Sequence, residues 1–238
     1  MQLLNFEFKP GWLGIAATLI AVSVFTYLML WQIGRAEERK QLQHQVMQRS
    51  ELPIAPLKNT EDVSLSNDRY RRFQVEGHFI NQHQVLLDNV VHDGRPGYEV
   101  ITPFTTTKGE SLLINRGWID TGRDRTVLPE ITVTEEPLSL TVMLDKPRSA
   151  PVVGLDVVES NNRWNYLDMG FYKKHSGIDI PGYLLLLAAD NPSAYTSRWP
   201  EIEDKSGMHI GYAIQWGVFA LIALGTFLGV NIKRIKQK

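Results

Sequence analysis

Cysteine is absent from all 238 residues, which excludes disulfides, thiolate metal sites and thiol redox chemistry. Neither sign of charge is in excess, since 25 basic and 26 acidic side chains leave a formal net charge of −1. No basic stripe suited to nucleic acid stands out. The chain has no Gly-x-Ser-x-Gly elbow, no Ser-x-x-Lys pair, no His-Glu-x-x-His, no Walker loop and no Gly-x-Gly-x-x-Gly. The usual hydrolase and nucleotide-enzyme constellations are therefore missing, and the expectation is a protein that is not an enzyme.

Charge is also absent from two long stretches, Trp12 to Trp31 and Ile210 to Val230. About 20 apolar residues at 1.5 Å each match a hydrocarbon core of roughly 30 Å. In the second stretch Ile210, Ile214, Val218, Phe219, Leu221, Ile222, Leu224, Phe227, Leu228 and Val230 each favour insertion by roughly 0.3–0.6 kcal/mol. Gln215 near its start cannot cancel that sum. The first stretch lacks the basic start and Ala-x-Ala site of a cleaved signal, so it reads as an uncleaved anchor.

All but one of the acidic residues, and all but Lys9, Lys233, Arg234, Lys236 and Lys238 of the basic ones, lie between the two stretches. The basic cluster after the second span makes that tail cytoplasmic by the positive-inside rule, and two spans carry the N-terminus to the same side. Arg35, Arg39 and Lys40 pull mildly the other way, diluted by Glu37 and Glu38. The expected organisation is a cytoplasmic N-terminus at 1–11, spans at 12–31 and 208–230, a helical extension at 32–50, an extracytoplasmic domain at 51–207 and a basic cytoplasmic tail at 231–238. In a bacterium this is a multi-pass protein of the plasma membrane with its central domain in the periplasm.

Residues 32–49 are rich in helix formers and free of proline, so the first helix continues out of the membrane until Pro53 and Pro56. Asn59 to Asp68 reads as a polar linker. Then the period changes to two: Phe73, Val75, Gly77 and Phe79 alternate with polar neighbours, which predicts a half-buried strand. Gln84–Asn89 predicts a second, Asp93–Gly97 a turn, Tyr98–Phe104 a third, and Ser111–Ile119 a fourth. Consecutive hairpins follow from that order, with Pro103 pushing the third strand toward a sheet edge. Leu138–Leu144, Arg163–Leu167 and Tyr183–Ala189 predict further strands. Residues 147–162 read as an irregular excursion, Asp168 as the cap of a short helix running to about His175, and 190–206 as the return to the membrane. The fold class is thus a membrane protein with two transmembrane helices flanking a mainly antiparallel β domain, a barrel or a sandwich, with few helices.

Two groups of residues carry candidate chemistry. His209 sits at the mouth of the second span with Tyr212 and Trp216 on one helical face, and Trp31 and Arg35 lie at the matching level of the first. A neutral imidazole can ligate haem iron, aromatic faces can hold the macrocycle and a cation can meet propionates. The same residues also read as an interfacial aromatic belt with a snorkelling Arg35. The second group, Asp88-Asn89, Gly94 with Gly97-Tyr98, and above all Asn115, Arg116, Gly117 and Trp118, reads as a loop face for a partner protein or as ordinary turn chemistry. His78, His83 and His92 read as exposed strand histidines without ligand spacing.

Taken together, Trp31-Gln32 with Arg35 and Glu38 to Lys40, Leu87-Asp88-Asn89, Gly94 with Gly97-Tyr98, Thr102-Pro103-Phe104, Leu113 to Trp118, Leu128-Pro129 and His209 to Trp216 give the chain its resemblance to the Surfeit locus protein 1 family. That family includes the yeast protein Shy1. The resemblance covers nearly the whole chain and implies a non-enzymatic factor for assembly of cytochrome c oxidase. It implies further that haem a is held transiently, with His209 meeting any metal only as the haem iron, and that the partners are the oxidase catalytic subunit, haem a synthase and membrane lipid, with no nucleic acid. The alternatives are a cofactor-free scaffold gripping an oxidase subunit and, in a third class, a membrane-anchored enzyme.

Overall fold

The computed structural model describes residues 6–122, 124–148, 156–160, 162–200 and 206–234. Expectations that fall on the first five residues, on 149–155 and 161 within the 147–162 excursion, on 201–205 and on the end of the basic tail lie outside the described residues. In chain order the elements are strand β1 (Phe6–Phe8), helix α1 (Trp12–Ser50), β2 (Ala55–Pro56), α2 (Leu65–Asp68), β3 (Arg72–Phe79), β4 (Val85–His92) and β5 (Arg95–Thr106). There follow β6 (Ser111–Asp120), β7 (Leu138–Asp145), β8 (Val158–Ser160), β9 (Arg163–Trp164), α3 (Met169–Ser176), β10 (Leu184–Leu187), α4 (Ser206–Asn231) and β11 (Ile232–Arg234). They form two compact units, one spanning Gln45–Glu201 and the other built from the flanking segments.

The flanking unit is a pair of helices, α1 and α4, each long and apolar enough to cross a membrane. The helix formers after Trp31 keep α1 continuous to Ser50, where Pro53 can no longer supply an amide donor. The helices meet along stripes at helical spacing: Phe25, Met29, Gln32 and Ala36 on α1, and His209, Ala213, Trp216 and Gly217 on α4. Phe25 stacks on Trp216 with ring centroids 5.8 Å apart, and Ala36 and Ala213 are both buried. At the far end β1 pairs antiparallel with β11, and Phe8 meets Phe227 edge to face. That two-stranded ribbon had no signal in the sequence.

In the Gln45–Glu201 unit the sheet closes on itself. β3 pairs with β7, β7 with β10, β10 with β6, β6 with β5, and β5 returns to β3, giving a five-stranded barrel. Only the β10–β6 pair of that ring is parallel. Beyond the ring β4 pairs with β5 and β9 with β4, while β2 extends β3. Alternation sorts the side chains. Leu112, Ile114, Leu185 and Leu187 join the cluster containing Phe73, Val75, Phe79 and Phe104. Leu113, Leu184 and Leu186 face a second cluster with Trp164 and Tyr172. Each such buried side chain is worth about 1.5–3 kcal/mol. The Asp168 side chain accepts from the Phe171 N–H and caps α3, as the sequence predicts.

Four local expectations are corrected. The Asp93–Gly97 turn shrinks to Asp93-Gly94, both at positive φ, so Arg95 to Gly97 belong to β5. Consecutive hairpins do not form throughout, because β3 pairs with β5 and β7 rather than with β4. Pro103 is not at a sheet edge but buried mid-strand. Its carbonyl accepts from the Ile80 N–H, and its missing N–H falls where β5 changes partner from β4 to β3, so no ladder bond is lost. Gly77 lies at that same crossing, where a Cβ would collide with the Thr105 carbonyl. The residues read as a linker after Asn59 instead form a 3-10 turn at Thr60–Asp62 and the helical turn α2, with Val63 and Leu65 packed on the core.

Candidate functional site

His209 lies in the first turn of α4, half-buried against α1, and its Nδ1 is 2.8 Å from Gln32 Oε1. A carbonyl oxygen only accepts, so Nδ1 must carry the proton. In the neutral ring Nε2 then holds the lone pair, and among the described residues it has no hydrogen-bond partner. A neutral imidazole fixed in this tautomer is the donor that an iron or zinc ion takes.

The other residues expected beside His209 fall into three settings. Arg35 sits one turn beyond Gln32, its guanidinium 5.5 Å from the Trp31 ring and 2.8 Å from Glu38 Oε2. Arg35 and Glu38 are both exposed, and such a pair is worth well under about 1 kcal/mol, so the cation can turn to another anion. Tyr212 and Trp31 are exposed, at 48% and 46%. Trp216 lies two turns deeper, where Phe25 stacks on it and Phe219 meets its edge. The structure therefore brings His209 to Gln32 and Trp31 to Arg35, and commits Trp216 to the helix interface. Gln32 was not among the expected site residues. Its signal was available, because it is the polar position on the stripe that carries Phe25, Met29 and Ala36.

Asn115, Arg116, Gly117 and Trp118 are corrected from a loop face to a bulge inside β6. The register with β5 shifts between Glu99 and Ile101, opposite Trp118 and Asn115. All three side chains are buried. Asn115 donates to Glu99 Oε2 at 3.0 Å and accepts from the Gly117 N–H at 2.9 Å. Arg116 donates to the Ser193 and Ile131 carbonyls, each at 2.8 Å, and to Gln84 Oε1 at 3.3 Å, with its guanidinium over the Phe79 and Tyr195 rings. Burial pushes its pKa down. The Trp118 indole donates to the Val90 carbonyl at 2.9 Å. Gly117 has φ +112°, and a Cβ there would run into the Thr196 carbonyl, whose oxygen accepts from the Trp118 N–H. These residues tie the 193–196 segment to the barrel; their side chains are not presented outward.

Glu99 has a similar role, accepting from Arg198 at 2.9 Å and pairing with Arg148 at 2.9 Å as well as with Asn115. Asp88 pairs with Arg125 at 2.7 Å. Of the histidines, His92 packs on Trp118, while His83 and His175 line a cleft of about 550 Å³ with Asn81, Gln84, Trp164 and Tyr172. Among the described residues no three His, Asp or Glu side chains gather as a metal-binding set.

A helix pair fit to cross a membrane, with an enclosed β barrel between its helices in sequence, describes a membrane-associated protein. The SURF1 family profile matches residues 19–221. The chain belongs to that family. It is similar to a SURF1-like protein of Mycobacterium bovis, 27% identical over 249 residues covering 100% of this chain and 91% of the relative. A SURF1-like protein of Rickettsia bellii is 24% identical over 206 residues, covering 83% and 82%. A SURF1-like protein of Dictyostelium discoideum is 33% identical over 96 residues, covering 37% and 36%. Membership indicates a role in assembly of cytochrome c oxidase, and the family is one of assembly factors rather than enzymes.

Proposed function

We propose that this protein holds haem a at the outer leaflet of a bacterial plasma membrane and presents it to the catalytic subunit of cytochrome c oxidase. Haem a synthase is the source of the group in this reading. The observation that carries it is the Nδ1 contact of His209 with Gln32, which leaves Nε2 with an available lone pair at the mouth of an apolar helix pair. The chemistry of that donor fits haem iron, which takes a neutral imidazole as an axial ligand. Haem a is cargo here and supplies the oxidase with its redox centre.

The chain's own residues bind, orient and release. His209 supplies one donor nitrogen and Gln32 fixes its ring. Exposed Trp31, next to Gln32 in the chain, and Tyr212, one turn after His209, offer aromatic faces, and Arg35, in a surface pair with Glu38 and over the Trp31 ring, can turn to a carboxylate. Contacts of this kind are few and shallow, which suits a holder that must also let go. Orientation follows from Lys233, Arg234, Lys236 and Lys238: both termini lie in the cytoplasm and the barrel in the periplasm.

The test is the visible absorption spectrum of the protein purified in detergent from cells that make haem a, with His209→Ala alongside. The expected result is a haem band in the parent that is lost in the variant. A band unchanged in the variant moves the ligand elsewhere. A parent without haem even after titration contradicts the holder and favours a cofactor-free scaffold for an oxidase subunit.

A further inference from the structure

The contact between Gln32 and His209 joins residues 177 positions apart in the chain, so it exists only because α1 and α4 are packed side by side. The two helices also touch deeper in the pair, where Phe25 stacks on Trp216. A Cβ on Gly217, two turns from His209, would lie 3.2 Å from the Met29 sulfur, and Met29 is one turn before Gln32. Half-buried in an apolar setting, the Gln32 amide and the imidazole are poorly served by water, so the bond between them is stronger than its counterpart in bulk solvent.

An imidazole without an oriented partner distributes its proton between both nitrogens, and the form with a proton on Nε2 offers a metal nothing. An amide oxygen at Nδ1 removes that form, because two acceptors cannot share a hydrogen bond. We propose that Gln32 is a positioning residue that acts through His209, locking the Nδ1–H tautomer and aiming Nε2 as the ligand atom. This inference rests on the reading of His209 as a haem ligand. Gln32 itself touches no metal; it sets the state and direction of the group that does, as outer-shell partners of metal-bound histidines do.

Two substitutions separate this role from simple packing. Gln32→Leu keeps the bulk and deletes the acceptor. Gln32→Glu keeps an acceptor and strengthens it, drawing the Nδ1 proton and enriching the ring in electrons. The full chain in detergent micelles is compared across parent, both variants and His209→Ala by two measurements. One is the nitrogen NMR spectrum of the His209 ring without any haem, and the other is titration with haemin followed by a reductive potentiometric titration.

The expected result is a protonated Nδ1 in the parent, a shift toward the Nε2–H form in Gln32→Leu, and haemin affinity about 10–100-fold weaker in that variant. Gln32→Glu should retain the affinity and lower the midpoint potential, a change that packing alone would not produce. If both variants keep the parent tautomer, affinity and potential while His209→Ala loses haemin, the positioning role is overturned and the ligand reading stands. If the parent binds no haemin, the ligand reading fails and takes the positioning role with it.

Discussion

In the barrel, Arg116 divides its guanidinium among the Ser193, Ile131 and Gln84 oxygens and rests against two aromatic rings, whereas in the helix pair His209 commits one nitrogen to Gln32 and keeps the other. Glu99 and Asn115 follow the pattern of Arg116, each with its polar atoms engaged inside the sheet. A fully partnered polar group specifies structure, since nothing is left over for a ligand. A group that is fixed but half-partnered can bind. By this criterion the polar residues of β6 hold the barrel together, and His209 is where chemistry is available.

The comparison breaks most visibly at Arg116. Arg116→Leu leaves the Ser193 and Ile131 carbonyls without their donor, while Gln84 Oε1 keeps the Thr102 hydroxyl, and should destabilise the barrel by about 2–5 kcal/mol, read from urea unfolding by tryptophan fluorescence. A loss below about 1 kcal/mol would mean that water reaches the bulge and that the β6 residues are not closed off. Gly117→Ala should cost about 2–3 kcal/mol in the same assay, because φ +112° is strained for any side chain and the added carbon meets the Thr196 carbonyl. A neutral Gly117→Ala would show that the 193–196 segment can move away from β6.

A smaller effect tests the second core cluster. Tyr172 is buried and donates to the His83 carbonyl at 3.0 Å, and burial pushes its hydroxyl pKa upward. A folded-state pKa above the unfolded value of about 10 means that the contribution is complete below pH 10 and is lost as pH rises from there toward the folded value. Tyr172→Phe should therefore be about 1 kcal/mol less stable than the parent at neutral pH, with the gap narrowing in alkaline melts. A gap that stays constant above pH 10 would place the hydroxyl in contact with solvent. Tyr183, also raised by burial, is present in both proteins and cancels from the difference.

What could be read in the sequence was local. The two uncharged runs, the alternation of Phe73, Val75, Gly77 and Phe79, and the Asp168 cap each depend on residues within a turn or a few positions of one another, and each is present. The return of β5 to β3 and the insertion of β10 between β7 and β6 depend on pairings far apart in the chain, which no window of the sequence contains. Asn115-Arg116-Gly117 has the composition of a turn, and only the register shift against Glu99 turns that composition into a buried bulge. His209 was legible as a residue with an unusual address. Its tautomer was not, because that is written by Gln32 on the other helix.

The most direct test sets the two regions against each other in one preparation: haemin binding and urea unfolding of the full chain, measured for the parent, His209→Ala and Arg116→Leu. The account predicts a crossed result, with His209→Ala losing haemin at unchanged barrel stability and Arg116→Leu losing stability while, below its unfolding midpoint, it still binds. Loss of haemin binding by folded Arg116→Leu together with its retention by His209→Ala would contradict the account, and would move the site from the helix pair into the barrel.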